Sequence, residues 1–188
     1  MTKIAVLGPK DTFSDVAVQK YLSAHSYLRS QIMYQKTIRL VFEELSAGNC
    51  DLGVVPIKNS SMQEKVPMTC DGLEKFSVDI IEELILPVQY SFLSKCERGQ
   101  IKKIFVHPVA QQQCLSFLRE YQYSEIVYTD SNMDSFNKLS EHSCCAAIVP
   151  CHILDEDETD YKLCVRNIAD DPNNNTRFIV LKKSNEAK

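Results

Sequence analysis

Four short segments combine hydroxyl and amide side chains with the end of a strand pattern or the start of a helix pattern. They are residues 8–14, 56–61 and 107–113 and the polar turn that leads into Thr176. Hydroxyls and amides hold anions through hydrogen bonds without titrating near neutral pH, and the free N–H groups of a helix start also favour anions. We therefore predict a site for a small anionic carboxylate, built mainly from neutral donors.

Several common kinds of site lack their sequence signals. The chain has no GxGxxG, P-loop or GxSxG segment, which disfavours a dinucleotide site, a nucleoside triphosphate site and a serine hydrolase. The net charge of -4 gives no basic footprint for nucleic acid. The apolar runs are far shorter than the roughly 20 residues that span a bilayer. We expect no nucleic-acid partner and no membrane partner.

The sequence also gives no pattern for metal binding. The eight cysteines include no CxxC pair, and we expect them to be reduced, small apolar core residues. Residues 155–158 are all acidic, but they lack the spacing of a calcium loop, so we interpret them as a solvated loop. The apolar run at residues 4–7 is typical of a strand and not of a signal peptide, which favours a cytoplasmic protein.

Alternating strand and helix patterns must position the four segments. Apolar runs at residues 4–7 and 51–57 predict buried strands, with helices beginning near Thr12 and Thr37 between them. Continuous apolar strands separated by helices are typical of a parallel sheet covered on both faces. An extended stretch follows over residues 78–93, and the strand and helix patterns then start again.

This order predicts an α/β fold with two similar lobes. Lobe one comprises about residues 1–78 and 168–188, and lobe two about residues 88–165. Open α/β sheets bind ligands beyond the carboxyl ends of their strands. Because the four polar segments follow predicted strands or precede the last one, we expect the site in the cleft between the lobes.

The four segments resemble motifs of the prephenate dehydratase family, in the family's order and over nearly the whole chain. LGPKDTFS at residues 7–14 resembles the family's opening loop, and GVVPIKNS at residues 53–60 resembles its Pro-Ile-Glu-Asn-Ser segment. His-Pro at the start of residues 107–113 is similar to its His-Pro helix start. NNNTRF at residues 173–178 matches its Asn-Asn-x-Thr-Arg-Phe strand.

The resemblance implies a periplasmic-binding-protein-like pair of lobes and a lyase that converts prephenate to phenylpyruvate, with loss of carbon dioxide and water, in phenylalanine biosynthesis. It implies that Thr176 is catalytic, since a hydroxyl donor suits polarisation of the departing hydroxyl. No metal or organic cofactor is implied. The substrate-binding residues that it implies are Thr12, Ser14, Asn59, Ser60, Gln113, Arg177 and Phe178. Strand alternation points Arg177 away from Thr176, so a structural ion pair is an equal alternative for it.

Two departures from the family pattern are candidates for specificity. Asp11 stands where the family usually has Gly, and we expect a positive φ there. Lys58 stands where the family has Glu and reverses a charge beside Asn59. The alternative for Lys58 is an exposed side chain without a role.

Other functions stay open at this point. They are a prephenate decarboxylase, an amino-prephenate dehydratase-like enzyme of secondary metabolism, and a non-catalytic cytosolic protein that binds a small carboxylate. The presence of Thr176 argues against pure decarboxylation, in which no hydroxyl leaves. From the position of Lys188 we expect the catalytic region without the phenylalanine-sensing ACT domain of many members. The sequence leaves the oligomeric state open, with a homodimer as one option.

Overall fold

The computed structural model describes residues 1–61, 65–154 and 161–184, which form two five-stranded sheets. The chain divides into unit 1, Met1–Pro87 with Asn175–Lys188, and unit 2, Val88–Asn174. These boundaries differ from the predicted lobes, because residues 79–87 lie in unit 1 and residues 168–174 lie in unit 2. The acidic run at residues 155–158 lies outside the described residues.

The strands and helices of unit 1 come from the first half of the chain and from its last strand. They are β1 (Thr2–Leu7), α1 (Phe13–Ala24), β2 (Ser30–Gln35), α2 (Ile38–Ala47), β3 (Leu52–Asn59), α3 (Pro67–Lys75), β4 (Val78–Pro87) and β10 (Asn175–Lys183). The strand order is β2-β1-β3-β10-β4. Strand β1 is parallel to β2 and β3, whereas β10 is antiparallel to β3 and β4. Strand β4 therefore runs in the direction of β1, β2 and β3, and among the described strands of this sheet only β10 runs against the others. The sheet is mixed, and the prediction of a parallel sheet is wrong for β10.

Unit 2 repeats this arrangement with shorter elements. They are β5 (Tyr90–Ser94), β6 (Lys103–Val106), α4 (Pro108–Gln112), α5 (Leu115–Leu118), β7 (Glu125–Tyr128), α6 (Asn132–Glu141), β8 (Cys145–Pro150) and β9 (Leu163–Val165). The strand order is β7-β6-β8-β5-β9, with β6 parallel to β7 and β8 and β5 antiparallel to β8 and β9. In each described sheet, four strands therefore run in one direction and one runs against them, β10 in unit 1 and β5 in unit 2.

The sheet of unit 1 is covered on both faces, as its apolar strands predict. Helix α1 packs on one face, and Phe178 and Val180 of β10 belong to the same apolar cluster. Helix α2 packs on the other face, where Ile179 and Leu181 of β10 join the cluster. Side chains alternate along a strand, so β10 contributes to both clusters in turn.

Helix boundaries follow local signals. The Thr37 hydroxyl accepts a hydrogen bond from the Leu40 N–H at 3.2 Å and caps the start of α2. Gly48 ends α2 with a left-handed φ of 76°. Helix α3 begins at Pro67. It packs closely on α2, and Gly72 permits this approach, since a Cβ at that position would lie only 2.4 Å from the ring of Phe42.

All eight cysteines are free, and four of them, Cys50, Cys96, Cys114 and Cys145, are buried. Burial raises the pKa of Cys50 to about 11, which keeps it a neutral thiol. Cys144 is exposed, so the expectation that all the cysteines are core residues is wrong there. Two further findings hold for the described ranges: no helix is long and apolar enough to cross a membrane, and no group of three or more His, Cys, Asp or Glu side chains could hold a metal ion.

Candidate active site

One edge of the unit 1 sheet gathers three of the four predicted segments. Strands β1 and β3 are parallel, so residues 8–14 and Asn59 follow them at the same edge. Strand β10 runs antiparallel to β3, so it begins at that edge with Asn175 and Thr176. Asn59 and Thr176 are direct partners in the ladder. The sheet therefore brings together residues that are 117 positions apart in the sequence.

An extra residue in β3 decides which side chains meet at this edge. Phe178 pairs with Pro56, and the next residue, Arg177, pairs with Lys58, which leaves Ile57 as the additional residue of a β-bulge. A single inserted residue reverses the face of every side chain beyond it. Because of the bulge, Asn59 shares the face of Thr176, which by strand alternation is the face that α1 covers.

The start of α3 donates hydrogen bonds to two backbone carbonyls at the bulge. The Thr69 hydroxyl donates to the Pro56 carbonyl at 2.6 Å, and the Val66 N–H donates to the Ile57 carbonyl at 2.8 Å. Buried carbonyls without partners would be costly, so these two bonds stabilise the irregular strand. The α3 start thus holds the bulge in place.

The side chains of Asn59 and Thr176 form a buried hydrogen bond. Asn59 Nδ2 donates to Thr176 Oγ1 at 2.8 Å, and each residue is 9% exposed. The Ser61 N–H donates to Asn59 Oδ1 at 3.0 Å. A backbone N–H can only donate, so this bond fixes the orientation of the amide and makes Asn59 the donor to Thr176. The Thr176 hydroxyl therefore keeps its own proton for another acceptor.

The ends of β3 and β10 are closed by a reciprocal pair of hydrogen bonds. The Ser60 N–H donates to the Asn175 carbonyl at 2.9 Å, and the Asn175 N–H donates to Ser60 Oγ at 2.9 Å. Both bonds lie beside the Asn59–Thr176 pair. They restrict the backbone next to Asn59 and Thr176 and so help to fix the position of the threonine hydroxyl.

The opposite face of the same edge carries positive charge. Lys58 and Arg177 are direct partners in the ladder, and with Ser60 and Asn175 they line a cavity of about 480 Å³. Like charges that face each other across strands repel. Arg177 is paired with Glu83 at 3.3 Å, which is the ion pair that the sequence left as an alternative. This face can attract an anion, but strand alternation separates it from the Thr176 hydroxyl.

The loop before α1 has the backbone that the sequence predicts. Asp11 has a φ of 65°, so the expected positive φ is confirmed. Thr12 is the N-cap residue by position, but its hydroxyl donates to the Pro9 carbonyl at 2.9 Å and does not cap the helix. Ser14 is 6% exposed, and its hydroxyl has no hydrogen-bond partner within residues 1–61, 65–154 and 161–184.

The family follows from a comparison that spans the chain. A family model described as prephenate dehydratase matches residues 4–186. The chain belongs to the prephenate dehydratase family. The prephenate dehydratase of Lactococcus lactis subsp. lactis (strain IL1403) is 28% identical over 187 residues, which are 98% of this chain and 65% of that protein.

Solved structures agree with this assignment. The crystal structure of a prephenate dehydratase from Arthrobacter aurescens in complex with L-Phe is 25% identical with a TM-score of 0.81, covering 100% of this chain and 61% of that one. A periplasmic substrate-binding protein of an ABC transporter from Coxiella burnetii shares the fold, at 17% identity and a TM-score of 0.51 over 97% of this chain and 84% of that one. The predicted periplasmic-binding-protein-like α/β fold is confirmed. The chain spans less than two thirds of the length of both prephenate dehydratases.

Gln113 of this family member makes a structural contact. It is 5% exposed at the break between α4 and α5, and its Oε1 accepts a hydrogen bond from Asn174 Nδ2 at 2.6 Å. Its carbonyl accepts from the Asp170 N–H at 2.7 Å. Gln113 therefore holds the polar turn that leads into Thr176, and its contact with substrate stays a prediction.

Phe178 is part of the core of unit 1. It is 1% exposed and packs in the apolar cluster on the α1 face, where it pairs with Leu84 of β4. Its contact with substrate stays a prediction. The sequence pattern identified its strand correctly, but the alternation of β10 places Phe178 in the core and leaves Thr176 at the edge.

Ser61 ends the predicted segment 56–61, but its bond to Asn59 was not predicted. Its N–H bond to Asn59 Oδ1 is the turn that Asn side chains commonly make with the backbone two residues on. The Asn-Ser-Ser run directly after an apolar strand was a usable signal for this turn.

Gln113→Leu should lower the free energy of unfolding by about 1–3 kcal/mol, because the buried Nδ2 of Asn174 would lose this acceptor. Urea denaturation of the purified protein measures the change. Gln112→Leu is the matched control, because Gln112 is the preceding residue and is exposed. Equal stability of the two variants would contradict the structural role of Gln113.

Proposed function

We propose that this chain is a cytoplasmic prephenate dehydratase that converts prephenate to phenylpyruvate with loss of carbon dioxide and water. The observation that carries the proposal is the buried Thr176 hydroxyl, whose oxygen accepts from Asn59 and whose proton is available to a substrate. Membership of the family supports the reaction type.

The reaction needs little acid or base strength from the protein. The bond between the ring and its carboxylate breaks, and that electron pair enters the ring as the bond to the ring hydroxyl breaks. The departing oxygen needs a proton to leave as water, and the ring becomes aromatic. Thr176 donates a hydrogen bond to this oxygen and stabilises the charge that develops on it, while water supplies the proton that is consumed. The Asn59 bond makes the threonine hydroxyl a better donor, because hydrogen bonds in a chain polarise one another.

The substrate carries two carboxylates, and neutral donors in unit 1 can hold them. We assign one carboxylate to the start of α1, where Thr12, the Ser14 hydroxyl and the first N–H groups of the helix lie. Ser60 lines the cavity beside Lys58 and Arg177, and its hydroxyl is a second donor for a carboxylate there. These contacts need no metal or organic cofactor.

Lys58 and Arg177 act on the opposite face through their charge. Both are exposed, and the Arg177 charge is partly offset by Glu83. We assign them to attraction of the dianionic substrate and not to the chemical step. A prephenate decarboxylase would have no use for the oriented Thr176 proton, so the geometry favours the dehydratase.

Thr176→Val should lower kcat for prephenate by about 10²–10³-fold, because one transition-state donor is lost with little change in volume. Thr176→Ser keeps the hydroxyl and should stay within about tenfold of the wild type. The assay follows phenylpyruvate and dihydro products separately with purified protein. A Thr176→Val variant with near-normal turnover would rule out Thr176 as the catalytic donor.

Asn59→Asp should lower kcat by about 10²-fold although the side chain keeps its shape. A carboxylate only accepts hydrogen bonds, so the Thr176 proton would turn toward residue 59 and away from the substrate. Asn49→Asp, at an exposed position of the same unit, is the control for the added charge. Turnover that is unchanged in Asn59→Asp would mean that the direction of this hydrogen bond is unimportant.

Lys58→Glu should raise KM for prephenate about 3–10-fold at low salt and leave kcat nearly unchanged, because it removes charge that attracts the substrate. The effect should shrink as salt is added. Lys182→Glu changes the same charge at an exposed position near the other end of the sheet and should have little effect. Equal constants for Lys58→Glu and the wild type at low salt would remove Lys58 from the site.

A further inference from the structure

Asp15 is a buried carboxylate in the first turn of α1 that the proposed mechanism does not use. It is 4% exposed. Its Oδ1 accepts from the Tyr34 hydroxyl at 2.8 Å and from Gln19 Nε2 at 3.4 Å, and its Oδ2 accepts from the Asp11 N–H at 2.9 Å. Burial of a carboxylate is costly unless such donors replace water. Asp15 therefore ties together three parts of unit 1: the loop after β1, helix α1 and strand β2.

The bond to Asp11 acts at the least favourable backbone position of the loop. Asp11 has a φ of 65°, in the left-handed region that residues other than Gly seldom adopt. The Asp15 carboxylate holds the N–H of that same residue. The loop needs this backbone conformation, which is unfavourable for an aspartate. The bond to Asp15 therefore stabilises it.

Strand β2 supports the beginning of the same loop. The Gly8 N–H donates to the Gln35 carbonyl at 2.8 Å, and a Cβ on Gly8 would lie 3.0 Å from Cβ of Tyr34. Burial, followed by the hydrogen bond to Asp15, raises the pKa of Tyr34 well above its usual value, so its hydroxyl stays a donor at neutral pH. The loop is thus held at its first residue by β2 and at Asp11 by the carboxylate that Tyr34 supports.

We propose that Asp15 is the positioning residue of the α1 end of the site: it fixes residues 8–14 through Asp11 and Tyr34 and so presents the Ser14 hydroxyl and the first N–H groups of α1 to a substrate carboxylate. This inference rests on the proposed function for the identity of the substrate. Asp15 itself does not contact the substrate, because its oxygens are occupied by protein donors and it is buried. Its effect is on binding and not on the chemical step.

The central test is Asp15→Asn, which keeps the shape of the side chain. The amide has one acceptor oxygen, whereas the Tyr34 hydroxyl and the Asp11 N–H each need one. KM for prephenate should rise about tenfold and kcat should stay within about twofold, as expected when binding that is equal in ground and transition states is lost. Asp51→Asn is the matched control. Asp51 also accepts from a backbone N–H, that of Lys3, at 2.8 Å, but at the other end of β1. Its kinetic constants should stay within about twofold of the wild type.

A rescue variant separates positioning from general stability. Glycine adopts positive φ readily, so Asp11→Gly should reduce the dependence of the loop on Asp15. In the Asp11→Gly background, Asp15→Asn should raise KM less than about threefold, compared with about tenfold in the wild-type background. This difference would show that the two positions are coupled. An undiminished effect in that background would overturn the proposal, and so would a fall in kcat with an unchanged KM.

Hydrogen exchange tests the loop without any substrate. The peptide covering residues 8–15 should exchange faster in Asp15→Asn than in the wild type and at the wild-type rate in Asp51→Asn. If the wild type fails to turn over prephenate, the proposed function is wrong, while this measurement still decides whether Asp15 orders the loop. Unchanged exchange in Asp15→Asn would overturn the inference. Tyr34→Phe removes one donor only and should give a smaller change of the same kind if Asp15→Asn does not fold.

Discussion

The β-bulge at Ile57 is the constraint on which the arrangement of the candidate site depends. Side chains on neighbouring positions of a strand point to opposite faces, so a regular β3 would place Asn59 and Thr176 on different sides of the sheet. The additional residue brings them to one face and turns Lys58 and Arg177 to the other. A neutral hydrogen-bonded pair and a positively charged cavity can therefore occupy the same edge without sharing a surface. The bulge is held by Val66 and Thr69 at the start of α3, so a helix outside the site takes part in forming it.

The distribution of charge follows from burial. The residues that reach the α1 face at this edge are amides and hydroxyls, which can be buried when each finds a partner. Lys58 and Arg177 remain exposed, where water lowers the cost of their charge. Asp15 is the exception on the α1 side, and three donors surround its oxygens. A site of this kind can bind carboxylates and assist the loss of a hydroxyl without a group that titrates near neutral pH.

Local signals in the sequence predicted a large part of this structure. The caps of α2 at Thr37 and Gly48 and the positive φ of Asp11 depend on a few neighbouring residues, and all three were predictable. The order of the strands also placed three of the polar segments at one edge. Strand β2 escaped prediction because it lies at the edge of the sheet, where only part of each side chain is buried. The bulge, the burial of Gln113 and the core position of Phe178 depend on pairing between distant parts of the chain, which residue types and spacing do not report.

The position of β10 between β3 and β4 has a consequence for synthesis on the ribosome. Unit 2 is one continuous stretch of chain, so it can fold as soon as it has been made. Strand β4 pairs with β10 alone in the described sheet, and β10 is made after all of unit 2. Until then the nascent chain carries an open edge on β3 and an unpaired β4. Domains generally fold as units during translation, but here the part that bears Thr176 must wait for the last strand. The candidate site is therefore completed only after unit 2, which interrupts it in sequence, has been made.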